Sequence, residues 1–185
     1  MRIGYISMMM MMTTMMAAGL GLAGCTHVQS TSDIPAVADF QPDRYMGRWY
    51  EIARLPNRFE EGMTDAAAFY APLSDDRISI MNTGFRNGRE QRSSGVARNL
   101  YGRDIGEFQV MFLWPFHDVY KIIYVEPDYS AAIVTSSTRS YLWILARKPL
   151  IPLSQLGRYL AMLEKWGFDV KLLQYPSGEL CSLAK

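Results

Sequence analysis

The stretch Gly47-Arg48-Trp49-Tyr50-Glu51-Ile52-Ala53-Arg54 opens the first of eight short β-rich runs, and their succession decides the fold. The runs are Arg48–Leu55, Ala66–Leu73, Arg77–Phe85 and Gln91–Tyr101, then Phe108–Leu113, Val119–Val125, Ala131–Ser136 and Ser140–Arg147. Turn signals part them: Asp75-Asp76, Asn87-Gly88, Gly102-Arg103-Asp104, Trp114-Pro115, Pro127-Asp128 and Ser137-Thr138. Asn87-Gly88 suits a two-residue hairpin turn in which both central residues need positive φ. Many short strands at nearly even spacing imply an antiparallel sandwich or barrel. After the eighth run the pattern changes. Leu153, Leu156, Leu160 and Leu163 fall at helical spacing, Pro152 suits the first turn, and Gly167 with Phe168 suits a Schellman cap closing on Leu163. The expectation is eight strands, one amphipathic helix, and a short ninth strand over Asp169–Gln174.

Upstream, the segment Ile3–Ala23 is Met-rich and apolar with Arg2 as its only charge, and it ends in Leu22-Ala23-Gly24-Cys25. A weakly positive start, an apolar middle and a small-residue exit fit a secretory signal. The exit resembles a bacterial lipobox. That resemblance implies cleavage before Cys25, acylation of its sulfur and of its new amino group, and attachment to a membrane. Two or more acyl chains, at about 0.8 kcal/mol per buried CH₂, anchor a protein where one would not. A transmembrane helix or a non-lipidated signal is the alternative, and Met8 is an alternative start. Interruptions such as Gly4, Ser7, Gly19 and Gly21 argue against a permanent span. Thr26 follows the cysteine, where an Asp would hold an enterobacterial lipoprotein at the inner membrane; the resemblance thus favours the outer membrane, facing the periplasm. Residues 1–24 are read as signal, 25–39 as lipidated Cys and flexible polar tether, 40–175 as the globular domain, and 176–185 as a tail.

Without Arg2, 18 of the 19 Lys and Arg remain against 18 Asp and Glu, so the mature chain is neutral. A neutral chain exerts no global pull on nucleic acid or anionic lipid, and no Gly-rich phosphate loop is present. Of the two cysteines, Cys181 stays unpaired once Cys25 is acylated, as a free thiol in the tail or as a bridge to another molecule. Two histidines, His27 and His117, cannot build a His-rich metal site. No serine sits in a nucleophile-elbow pattern and no nucleophile has an evident base, so no catalytic residue, metal or cofactor is expected.

Three short motifs occur in order. Gly47-Arg48-Trp49-Tyr50 resembles the Gly-x-Trp signature of the lipocalins. Pro127-Asp128-Tyr129 stands where lipocalins carry a Thr-Asp-Tyr-like turn, with Pro in place of Thr. Arg147 ends the eighth run as in the third lipocalin motif. The runs Arg44–Arg54 and Tyr141–Arg147, with Gly167-Phe168-Asp169-Val170, look most like bacterial outer-membrane lipocalins and apolipoprotein D. The resemblance spans roughly Asp43 to Gln174 and implies an eight-stranded up-and-down barrel, a size that holds one small ligand. It also implies that Trp49 lies inside the closed end, that Arg147 stacks over its ring, and that Gly47 belongs to the same closure. Such a stack gains on the order of 1–2 kcal/mol when desolvated.

Alternation along a strand then assigns faces. If Arg147 points in, so do Leu145, Trp143 and Tyr141, while Ile144 and Leu142 face the helix. If Trp49 points in, so do Glu51 and Ala53. Glu51 inside an apolar barrel needs a partner or water, and a bulge would relieve the conflict. For other strands the resemblance supplies the register: Ala66, Ala68 and Tyr70; Ile80 and Asn82; Val110 and Phe112; Tyr120, Ile122 and Tyr124. Tyr70, Asn82, Phe112, Tyr120, Ile122 and Trp143 are the expected ligand contacts. The family implies a non-catalytic carrier of fatty acids, lysophospholipids or similar amphiphiles. A structural lipoprotein with a filled barrel, a carrier of another hydrophobic ligand or pigment, and an enzyme are the other readings. Self-association is expected only if an exposed apolar patch lies near the barrel mouth or the tail.

Overall fold

The computed structural model describes residues 28–74, 76–113 and 115–176. Cys25, His27, Asp75, Trp114 and Cys181 lie outside the described residues. The strands are β1 (Gly47–Arg54), β2 (Thr64–Ser74), β3 (Arg77–Arg86), β4 (Arg89–Asn99), β5 (Glu107–Leu113), β6 (Phe116–Val125), β7 (Ala131–Thr135) and β8 (Leu142–Ala146). Each pairs antiparallel with its sequence neighbour, and β1 pairs with β8, which closes the sheet into a barrel without free edges. A one-turn helix, α1 (Pro42–Tyr45), precedes β1, and α2 (Leu153–Lys165) follows β8. Arg86 pairs with Arg89 across a turn in which Asn87 has φ 54° and Gly88 φ 72°, as that hairpin requires.

Two apolar cores share the sheet. The inner one gathers Phe40, Tyr45, Trp49, Tyr70, Phe108, Ile122, Val134 and Leu145 at one end of the barrel. The outer one lies between the sheet and α2, where Ile52, Ile133, Leu142 and Ile144 meet Leu156, Tyr159 and Leu163. β8 therefore alternates as expected, with Leu142 and Ile144 under the helix and Trp143 and Leu145 inside. The helix ends as expected too: the Phe168 N–H donates to Leu163 O at 3.0 Å and the Gly167 N–H to Glu164 O at 3.0 Å, the Schellman pair. Its buried face is not the leucine stripe throughout. Leu153 is 54% exposed, and Tyr159 is fully buried, its hydroxyl donating to Glu126 Oε1 at 2.7 Å.

Three expectations are corrected. Asp169–Gln174 is not a regular strand; Val170–Leu172 forms a 3-10 turn, and a single bridge joins Gln174 to Arg54. Ala53 does not point into the barrel. A bulge between Glu51 and Ala53 places Ile52 and Ala53 together in the outer core and turns Arg54 inward, opposite Trp143. Tyr124 is likewise outside, 5.9 Å from the Tyr159 ring, because a second bulge between Ile122 and Tyr124 resets β6. One extra residue in a strand exchanges its two faces from that point on.

The residues expected to form a flexible tether are, from Val28 on, a strap laid along the barrel wall. Thr31 and Ile34 are buried; the Thr31 N–H donates to Ser137 O at 3.0 Å, and the Thr31 hydroxyl to Ser136 O at 2.6 Å. Lys121 Nζ donates to Thr31 O and Ile34 O and pairs with Glu107 at 3.6 Å. Farther along, the Val37 N–H donates to Ile122 O and the Gly106 N–H to Val37 O. The strap needs no apolar periodicity, because backbone groups hold much of it. Among the described residues no helix is long and apolar enough to cross a membrane.

Candidate functional site

Burial on the inner face falls from one end of the barrel to the other along three adjacent strands. On β5, Phe108 is 4% exposed, Val110 8% and Phe112 44%. On β6, Ile122 is fully buried, Tyr120 partly buried and Asp118 exposed. On β4, Ala97 is buried, Gly95 partly buried and Ser93 exposed. Exposure on this face of β4, β5 and β6 thus rises toward the end ringed by the β1–β2, β3–β4, β5–β6 and β7–β8 connections, the mouth, whereas on β1 Glu51 and Arg54 stay buried close to it.

The floor is built around Trp49. Its ring is fully buried, its Nε1 donates to Tyr45 O at 2.7 Å, and the Arg147 guanidinium lies 3.9 Å from the ring centroid. Arg147 also donates to three carbonyls: Tyr129 at 3.3 Å, Arg48 at 2.9 Å and Arg44 at 2.6 Å. A charge at the end of an apolar barrel is tolerable because ring and carbonyls replace its water. Gly47 makes room: its φ is +93°, and a Cβ there would meet Arg147 Nη1 at 3.4 Å.

Above the floor, three tyrosine hydroxyls form a chain, Tyr45 to Tyr120 at 2.8 Å and Tyr120 to Tyr70 at 2.9 Å. Burial pushes all three hydroxyls above the usual phenol range, so each keeps its proton at neutral pH. Tyr45 is not among the expected contacts. It lies on a four-residue helix, too short for any periodic signal.

Nearer the mouth stands Glu51, the carboxylate for which the sequence offers no evident partner. It is 5% exposed, and its Oε2 accepts from Arg54 Nη1 at 3.1 Å, a pairing that the β1 bulge makes possible. Burial, then the nearby Glu60 carboxylate, push the Glu51 carboxyl up to about 8, against the pull of Arg54. Arg54 Nη2 donates to Glu60 O and Met63 O, so it ties the β1–β2 loop to the barrel from within. The loop is also tied to the two strands that flank β1 and β2. On one side Trp143 Nε1 donates to Glu60 Oε2 at 2.9 Å; on the other Arg86 Nη2 donates to Phe59 O at 2.9 Å.

The residues expected to meet a ligand fall on this face at different depths. Ile122 and Tyr70 are deep and buried; Tyr120 is partly buried between them and the mouth. Asn82 is partly buried and pairs with Ala68 and Ser93. Trp143 is partly buried and stacked on Tyr141, centroids 6.0 Å apart. Phe112 lies highest, its ring over Gly95, where a Cβ would come within 2.7 Å of it. His117 is exposed near the mouth, and no cluster of metal-ligating side chains occurs among the described residues.

The profile of the lipocalin-like domain matches residues 40–177. The chain is 32% identical over 157 residues to the outer membrane lipoprotein Blc of Vibrio cholerae, covering 83% of this chain and 91% of that protein. It is 26% identical to apolipoprotein D of Macaca fascicularis, over 94% of this chain and 98% of that protein. Among solved structures, insecticyanin from the tobacco hornworm superposes with a TM-score of 0.68 at 18% identity, covering 82% of this chain and 87% of that one, a likeness of fold. With the closed eight-stranded barrel, the α2 helix and the Trp49–Arg147 closure already in view, these matches show that the chain belongs to the lipocalin family.

Proposed function

We propose that this chain is an outer-membrane lipoprotein, acylated on Cys25, that holds a fatty acid, lysophospholipid or similar amphiphile in its barrel and stores or carries it during envelope maintenance. The reading is of a binding protein that catalyses no step. The observation that carries it is the inner face of β4, β5 and β6, which grades from buried Phe108 and Ile122 to exposed Phe112 and Asp118. An acyl chain entering that gradient leaves water progressively, gaining roughly 25 cal/mol for each Å² of apolar surface buried. The Tyr70 and Tyr120 hydroxyls, Asn82 and the Glu51–Glu60 carboxyls are polar groups that can orient a headgroup, in keeping with ligand sites that are mostly apolar with a few placed polar atoms. The names of relatives in Vibrio cholerae, Citrobacter freundii and Escherichia coli, all outer membrane lipoproteins, support the location.

The test is a titration of a soluble form beginning at Thr26 with lysophospholipid and with long-chain fatty acid, followed by tryptophan emission. Saturable binding at micromolar concentrations or tighter, weakened by Trp143→Ala or Tyr120→Ala with the β-rich spectrum intact, is the expected result. A folded protein that responds to neither lipid would replace this reading with a filled, structural barrel or a different ligand.

A further inference from the structure

The strap begins at the mouth end of the barrel. At its N-terminal end Gln29 and Ser30 dock on the β7–β8 connection, at the mouth. Ser30 bridges Thr138, the Arg139 N–H donates to Gln29 O at 2.8 Å, and the Arg139 guanidinium reaches Asp33 at 2.6 Å and the Ser30 carbonyl. Cys25 is four residues before Gln29. Four extended residues span at most about 14 Å. Chains attached at Cys25 and buried in a leaflet therefore hold the mouth within about that distance of it, whereas the closed end lies a barrel length away.

The mouth is dressed for such contact. Phe59 on the β1–β2 loop is 62% exposed, Phe116 at the start of β6 71%, and Phe112 and Phe85 44% each. The closed end exposes one aromatic ring, Tyr101 at 65%, beside Leu73 and Leu100, so four exposed phenylalanines at the mouth are the larger aromatic surface, and a contiguous exposed apolar surface marks an interaction site. The turns at residues 56–63, 86–92 and 115–118 carry four arginines and four carboxylates, and Arg139 on the β7–β8 connection is paired with Asp33. Nothing there selects an anionic partner over a neutral one, so the contact is apolar insertion rather than charge attraction.

We propose that the open end is a membrane-docking surface, in which Phe59 and Phe116 enter the interfacial region of the leaflet that holds the Cys25 acyl chains. The barrel then exchanges its ligand with the bilayer directly, without release into water. The proposal rests on the acylation of Cys25 in the reading above.

The full-length acylated protein is placed on vesicles of phosphatidylethanolamine and phosphatidylglycerol, in a Cys181→Ser background, with an environment-sensitive fluorophore on Phe59→Cys, Phe116→Cys or Tyr101→Cys. Tyr101 is a matched control, 65% exposed but at the closed end. The docking surface predicts several-fold stronger quenching by lipids with doxyl-labelled acyl chains at positions 59 and 116 than at 101, little changed by salt. Equal quenching at all three sites, or none at 59 and 116 while the protein stays vesicle-bound, overturns it. A blue shift at 116 without lipid quenching also overturns it and points to a second copy of the chain as the partner. Mass spectrometry separates the two failures. An unacylated Cys25 and a protein that washes off the vesicles defeat the lipoprotein reading itself, and the docking inference with it.

Discussion

The two ends of the barrel are built from the same strands to opposite specifications. At the closed end the groups around Trp49 have fixed partners: Trp49 Nε1 has a carbonyl, Arg147 a ring and three carbonyls, and the Tyr129 hydroxyl accepts from the Gln41 N–H at 2.8 Å. At the open end the inner face carries partly buried Asn82 and Trp143, half-exposed Phe112, and a loop held by a few side-chain bonds. Burial and bonding are most complete around Trp49 and Arg147, and least complete on the mouth side of β3, β4, β5 and β8. Substitutions at the two ends should therefore separate stability from binding.

The largest effect is expected at the floor. Trp49→Ala removes a fully buried indole and leaves Arg147 without its ring, and large-to-small changes of this kind cost about 3–5 kcal/mol. A urea midpoint close to wild type would mean that the closed end is not the stabilising one, and the contrast would fail.

A middle-sized effect belongs to Glu51, between the two ends. Its carboxyl is raised from 4.5 to about 8 by burial and by Glu60. The folded state thus holds a proton that the unfolded chain releases. That contribution is fully present below pH 4.5 and is lost as pH rises to about 8. The wild type should lose thermal stability relative to Glu51→Gln across this window. Parallel Tm curves would show that Arg54 keeps the carboxylate charged throughout.

The smallest stability change is expected for Phe112→Ala. The ring is 44% exposed, so its loss should cost under about 1 kcal/mol while lowering ligand affinity. A large drop in stability with unchanged affinity would reverse the roles assigned to the two ends.

Much of this architecture is legible in the sequence, because the signals that specify it are local. The Asn87-Gly88 turn, the Gly167 cap and the eight runs each depend on residues near one another. On β8 an uninterrupted alternation runs back from Arg147, and each face is assigned as found. On β1 and β6 the assignment fails after Glu51 and after Ile122. Consecutive apolar residues, Ile52-Ala53 and Ile123-Tyr124, fit either face, so a bulge leaves no break in hydropathy. The one clue is electrostatic: Glu51 requires a partner, and Arg54 can supply it only if the strand resets between them. The strap resembles a tether in sequence for a different reason. Val37 is held by its backbone, through bonds to Gly106 and Ile122 that composition does not encode.

The tyrosine chain carries a consequence for what the barrel interior can recognise. Tyr45, Tyr120 and Tyr70 bring three hydroxyl protons to two hydrogen bonds, and either oxygen of each bond can be the donor. One O–H is always left over. It sits on Tyr70 when the chain runs from Tyr45, on Tyr45 when it runs the other way, and on Tyr120 when both neighbours donate inward. Turning the hydroxyl rotors changes where the surplus donor points without moving a ring. A hydroxyl chain of this kind is amphoteric. It can meet an acceptor or a donor, so a barrel with one fixed shape can suit headgroups of opposite hydrogen-bonding character.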